Sequence, residues 1–251
     1  MLIETQTVIR YKHSFSLLVY RLLDMVRMAP SSEIQLVLKK EVKFLYGLLC
    51  LIVYNESYEE NITALVEWAA GLGSDIKLDT FKIMFIEKLN QIHLRDLEPK
   101  NFLFTFSTIW DTIHFLCMIG DDIVMNRHLY DLDEVWRYIR NLKWVFYNVF
   151  IVLFCPICAK HYLTINNFPY EFERVEVALY REKMGEPIQF VDEIKRNQSH
   201  KNLLFNNYLL YKSMLFHNHV NSYRPIQHVN DELNQFQRME WPILKNLLGI
   251  N

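Results

Sequence analysis

Apolar residues return every three or four positions along almost the whole chain, as in SFSLLVYRLLDMVRM (14–28), and no stretch alternates convincingly with a period of two. A period of about 3.6 gathers side chains on one helical face, whereas a half-buried strand needs a period of two. Turn punctuation is also sparse: 6 glycines and 7 prolines in 251 residues are too few for the tight turns of a sheet protein. The pattern predicts an all-α fold. With 51% hydrophobic residues, the chain holds enough apolar material for one large or two small cores.

The first helix is expected over 14–28, stopped by Pro30, and the second from Ser31-Ser32, a natural cap, to about Tyr54. NITALVEWAAGLG (61–73) stops at its glycines, and another helix runs from about Asp79 to His93. The polar stretch RDLEPKN (95–101) reads as a linker, which divides the chain into an N-terminal helical domain, 1–100, and a second domain, 101–251. There, helices are expected over 103–120, ended by Gly120, over 131–154, from the cysteines onward, over 170–185 and over 199–221. One or two short helices follow within 230–248.

A net charge of −2 offers no global electrostatic case for nucleic acid. The longest apolar runs, such as FLYGLLCLIVY (44–54), fall short of the roughly 20 residues that span a bilayer. The opening MLIETQTVIRYKHSF lacks the apolar core of a signal peptide. The 4 cysteines make no disulfide scaffold, which points to a reducing compartment.

Half of those cysteines lie in FCPICAKHY (154–162). Pro156 ends one helix near Phe154 and lets another start at Cys155, where unpaired N–H groups and the helix dipole favour a thiolate. Cys155, Cys158 and Tyr162 then share one face. Three readings compete. The pair is two inert core thiols, or a zinc site with His161, or a redox couple. Zinc is hampered because His161 shares a turn with Cys158 and there is no second Cys-x2-Cys. A thioredoxin-like motif needs a βαβ setting that a helical chain does not offer. A redox couple here therefore needs an electron acceptor. Trp110 and His114 lie four apart and share a helical face. His217, Asn218 and Asn221 gather near the end of an apolar helix, where each unsatisfied polar group costs about 1–3 kcal/mol. A flat heterocycle rich in donors and acceptors suits that cluster.

Taken together and in this order, W-x3-H (110–114), C-x2-C-A-x-H-Y (155–162) and H-N-x-V-N (217–221) resemble the Erv/ALR family of FAD-linked sulfhydryl oxidases. The helical region before residue 100 extends the likeness toward the divergent branch of insect baculoviruses. The resemblance implies a four-helix bundle that holds FAD beside the cysteine pair. Cys155 is the outer sulfur that exchanges with protein thiol substrates, and Cys158 the inner one that passes electrons to FAD and thence to O2, giving hydrogen peroxide. Trp110 and His114 pack on the flavin or adenine side, Tyr162 lies by the ring system, and His217, Asn218 and Asn221 line the adenosine and ring edges. The family's basic stretch is absent, so Arg224, with His228, is left to meet the pyrophosphate. Trp241 stands where the family has a C-terminal tryptophan or is a packing residue. A homodimer is expected, in the cytoplasm or nucleus of a host cell, with the virion a further location. Cys50 and Cys117 stand alone, so no second pair serves as a shuttle. The first 100 residues serve packing, dimerisation or partner docking. The competing expectation is a non-catalytic helical interaction protein with a structural zinc site or inert cysteines.

Overall fold

The computed structural model describes residues 4–153, 155–165, 167–192, 201–222 and 238–250. The fold is all-α: α1 Gln6–Met28, α2 Ser32–Tyr54, α3 Glu59–Ala70, α4 Leu78–Gln91, α5 Phe106–Met125, α6 Leu132–Asn148, α7 Pro156–Thr164, α8 Tyr170–Lys183, α9 Tyr208–Ser222 and α10 Trp241–Leu248. Two compact units divide the chain. One is Tyr11–Thr112; the other joins Met1–Arg10 to Ile113–Asn251.

Helix α1 begins before the expected residue 14. Thr5 Oγ1 accepts the Val8 N–H at 3.2 Å, a capping contact that starts the helix where the apolar period is still weak. Helix α2 starts where Ser31 predicts, its hydroxyl accepting the Ile34 N–H at 3.3 Å. In the Tyr11–Thr112 unit, Tyr20, Phe81 and Phe85 form an aromatic cluster. The buried Arg27 guanidinium pairs with Asp24 at 2.7 Å and lies over the Phe81 ring at 4.9 Å. The stretch at 95–101 is no free linker. Arg95–Leu97 forms a short 3-10 turn with Leu97 buried, and Ser16 Oγ donates to Leu97 O at 2.8 Å. The charged ends of that segment face outward while its one leucine packs. The two compact units part between residues 112 and 113, inside α5.

In the other unit, α5 runs straight through Gly120 to Met125, which corrects the expected stop at that glycine. A Cβ at Gly120 would sit 2.8 Å from Leu209 Cδ1 and 3.2 Å from Leu142 Cδ1. This glycine lets α9 and α6 approach closely. The expected helix over 199–221 also begins later, at Tyr208. Leu203–Phe205 instead forms β2, paired in parallel with β1, Gln189–Val191. Asn207, at φ 53°, takes the left-handed conformation that interrupts any helix from 199. Asn202 fastens the strand by donating to Ala178 O at 2.9 Å and Glu186 O at 2.8 Å.

Helices α6 and α8 are joined by Glu176. Its carboxylate accepts from Trp136 Nε1 at 3.3 Å, from Arg140 Nε at 3.2 Å and from Lys143 Nζ. Arg127 grips Glu182 with two N–H groups at 2.5 and 2.7 Å and holds that carboxyl below the usual carboxylate range. Arg140 is largely exposed, so its share of the Glu176 hub is screened. Glu176→Ala should cost about 2 kcal/mol, read by circular dichroism as a fall in Tm of about 4–8 °C. An unchanged Tm would mean that the hub only decorates the surface.

Candidate redox site

A 3-10 turn, Val149–Val152, follows α6, and Cys155 then caps α7 in extended backbone, φ −108° and ψ 111°. Pro156 occupies the first helical turn, where its missing N–H costs nothing. Cys155 Sγ accepts the Cys158 N–H at 3.3 Å. The Cys158 thiol, followed by the Cys158 and Ile157 amides, holds the Cys155 thiol below its ordinary range. The other two cysteines with a resolved shift move the opposite way. Burial pushes Cys50 up to about 12 and Cys117 well up. Cys155 and Cys158 are half-buried, and neighbouring Ile157 is 65% exposed. Cys155 is therefore both ionisable and reachable.

Behind the pair, Tyr162 is buried. Its hydroxyl donates to Phe146 O, and its ring meets Phe216 edge-on at 5.8 Å. Phe216 in turn stacks on Phe168 at 5.2 Å. Burial, and next the nearby Cys117 thiol, pushes the Tyr162 phenol up. The motif of α7 thus meets α9 through Phe216 and α5 through Cys117.

Helices α5 and α9 run antiparallel along a polar seam. Residues 114, 117 and 121 recur on one face of α5 at spacings of three and four. At one end Asp121 accepts the Leu209 N–H at 3.0 Å and the Leu210 N–H at 2.9 Å, capping the first turn of α9 from another helix. Desolvation pushes the Asp121 carboxyl up to about 7, against the downward pull of those two amides. In the middle, Cys117 meets the Ser213 hydroxyl. At the far end His114 Nδ1 lies 2.8 Å from Ser213 Oγ, and His114 Nε2 lies 3.0 Å from His217 Nδ1. His114 is 1% exposed, and burial, followed by the His217 and Arg10 charges, lowers its imidazole to about 3.

The remaining candidates divide. Asn221 lies half-buried one turn after His217 on α9. Asn218 points elsewhere: its amide donates to Met239 O at 2.9 Å and accepts the Met239 N–H at 2.8 Å, tying α9 to the segment before α10. Trp110, half-buried one turn before His114 on α5, belongs to the Tyr11–Thr112 unit. Trp241 packs on Tyr211 at 5.2 Å and Phe205 at 6.3 Å. Arg224 and His228 lie outside the described residues. Burial and His219 lower His161. Among the described residues no group of three His, Cys, Asp or Glu side chains is placed to hold a metal ion. Sequence reasoning missed Ser213 and Asp121. The usable signal was helical spacing: Ser213 stands four before His217, and Asp121 seven after His114.

An all-α protein with a Cys-x-x-Cys at a helix head, its leading thiol activated and a pair of hydrogen-bonded imidazoles on the adjoining helices, is the class that fold and site define. The chain belongs to the Baculovirus P33 family, whose model matches residues 5–250. It is 37% identical over 249 residues to the FAD-linked sulfhydryl oxidase of Autographa californica nuclear polyhedrosis virus, covering 96% of each chain. It is also 34% identical over 273 aligned positions to the 33 kDa early protein of Orgyia pseudotsugata multicapsid polyhedrosis virus, covering 96% of this chain and 97% of that one.

Proposed function

We propose that this chain is an FAD-linked thiol oxidase of Erv/ALR type, which forms disulfides in protein substrates and passes the electrons to O2. The observation that carries this reading is the lowered, reachable Cys155 thiol at the head of α7. Its near full-length similarity to a relative named for that activity supports it. In the oxidised pair, a substrate thiolate attacks Cys155 Sγ, the Cys155–Cys158 bond breaks, and Cys158 leaves as a thiolate. A second substrate thiolate attacks the substrate sulfur of the mixed disulfide, which forms the substrate disulfide and releases Cys155. A low-pKa thiol is the better leaving group, so the contacts that stabilise the Cys155 thiolate favour product release. The chemistry that bound FAD supplies is uptake of the dithiol's electron pair and its delivery to O2 as hydrogen peroxide.

The residues fit such a group. Phe168, Phe216 and Tyr162 offer aromatic faces, and His114, His217 and Asn221 offer ring nitrogens and an amide. These last three and Tyr162 are assigned to the cofactor. Trp110, one turn before His114, and Arg224 are further contacts. Asn218 acts by holding the Met239 segment in place. The Tyr11–Thr112 unit, whose Cys50 is buried and far from ionising, serves packing, pairing of two copies or docking of substrate proteins. The expected setting is the infected host cell.

Purified protein should be yellow, lose bound flavin on denaturation and consume O2 with a dithiol. His217→Ala should retain less FAD. A ligand at a hundred times its Kd adds about 2.7 kcal/mol to the folded state, so the variant's Tm should fall by about 5–10 °C. A colourless protein with stoichiometric zinc would sink the oxidase reading in favour of a non-catalytic helical module.

A further inference from the structure

We propose that Ser213 is a positioning residue: its buried hydroxyl fixes the proton of His114 on Nδ1 and thereby makes His217 Nδ1 the donor between the two imidazoles. Its consequence for the cofactor rests on the oxidase reading; the proton arrangement itself does not.

Ser213 is fully buried on α9. Its one hydroxyl proton goes to Leu210 O at 2.7 Å, since a carbonyl oxygen has none to give. Toward His114 the oxygen therefore offers a lone pair, and the 2.8 Å contact requires an N–H at Nδ1. With an imidazole lowered to about 3, His114 is neutral and carries only that one N–H. Its Nε2 is then a lone pair, and the 3.0 Å contact is donated by His217 Nδ1. The hydrogen bonds all run one way, from His217 through His114 and Ser213 to the Leu210 carbonyl.

The direction matters for His217. Because its Nδ1 is committed as donor, a neutral His217 holds its proton on Nδ1, and this fixes the tautomer that the imidazole pair presents to a flavin or adenine. Without the Ser213 hydroxyl, His114 is free to carry its proton on Nε2. Two N–H groups would then oppose each other across 3.0 Å, unless His217 changes tautomer and reverses its donor and acceptor. In the oxidase reading His114 and His217 are the cofactor contacts, while Ser213, buried from solvent, acts through them.

The test uses full-length protein carrying 15N-labelled histidine and whatever flavin it retains on purification. Long-range 1H–15N spectra are assigned with His114→Asn. Wild type should show a protonated Nδ1 and bare Nε2 on His114. Ser213→Ala should move His114 toward the Nε2–H form and weaken FAD binding about tenfold, the worth of one hydrogen bond. Ser213→Thr, which keeps the hydroxyl, should restore both. Alanine is the best helix former and removes a single oxygen, so folding should persist. An Nε2–H tautomer in wild type would overturn the proposal, even if a variant were poorly behaved. So would an unchanged tautomer in Ser213→Ala. A colourless protein would defeat the oxidase reading instead, while the tautomer measurement would still decide the role of Ser213.

Discussion

Cys158→Ala and Cys155→Ala should each abolish dithiol-driven O2 consumption while leaving the protein yellow. Turnover in the proposed reaction needs two sulfurs that close and reopen one bond, so removing either atom removes the only route for the electron pair. The two variants should nevertheless differ. Without Cys158, Cys155 loses the thiol and keeps only the amides that lower it, so its alkylation by iodoacetamide should slow at neutral pH. Without Cys155, the cap on the Cys158 N–H is lost, a change worth about 1 kcal/mol to a short helix. Cofactor retention should survive in both, because the imidazoles, Tyr162 and Phe216 are untouched. Oxygen-electrode traces on the flavin-replete variants decide the matter: substantial turnover in either one would mean that the chemistry lies elsewhere.

Asp121→Ala should markedly destabilise the fold, although the residue lies outside the Cys155–Cys158 pair. It strips the acceptor from two buried amides in the first turn of α9, and each orphaned N–H costs about 1–3 kcal/mol. Relief of a poorly solvated carboxyl offsets part of this, leaving a loss of about 2–3 kcal/mol and weaker FAD retention, since α9 carries Ser213 and His217. Asp121→Asn probes the same residue through pH. The Asp121 carboxyl is raised from 3.8 to about 7 in the fold, so the folded state binds the extra proton, and its contribution grows as pH falls from 7 toward 3.8. His114 is lowered from 6.5 to about 3, so there the unfolded chain binds the extra proton, and stability is lost as pH falls through 6.5 toward 3. The two slopes oppose each other between roughly pH 6.5 and 4. Wild type should show little Tm change from these groups across that window. With Asp121 gone, the His114 slope of up to about 1.4 kcal/mol per pH unit stands alone, a fall in Tm of about 3–5 °C per unit on acidification. Parallel Tm–pH curves for wild type and Asp121→Asn would refute the opposition.

Much of this was legible beforehand, because it is local. The Ser31 cap lies beside the helix it starts, and Pro156 beside the Cys155 thiol that it brings to a helix head. Two readings went astray for one reason. Gly120 and the stretch from 199 were judged by their own letters. Gly120 in fact answers to Leu209 and Leu142, and Asn202 to carbonyls at 178 and 186. Likewise, the polar letters of RDLEPKN mark a linker only if nothing packs on its leucine, yet Leu97 is buried.

The amino-acid order alone determined the helical class and the placing of two sulfurs at the opening of a helix. These follow from the 3.6-residue period and from capping, which act over a few residues. Only the tertiary structure decided that Asp121 caps a helix 88 positions away and that Ser213 joins His114 to His217. Such bonds exist only in one register of α5 against α9, and that register is set by how closely two helices can pack at Gly120, not by any preference of the residues themselves.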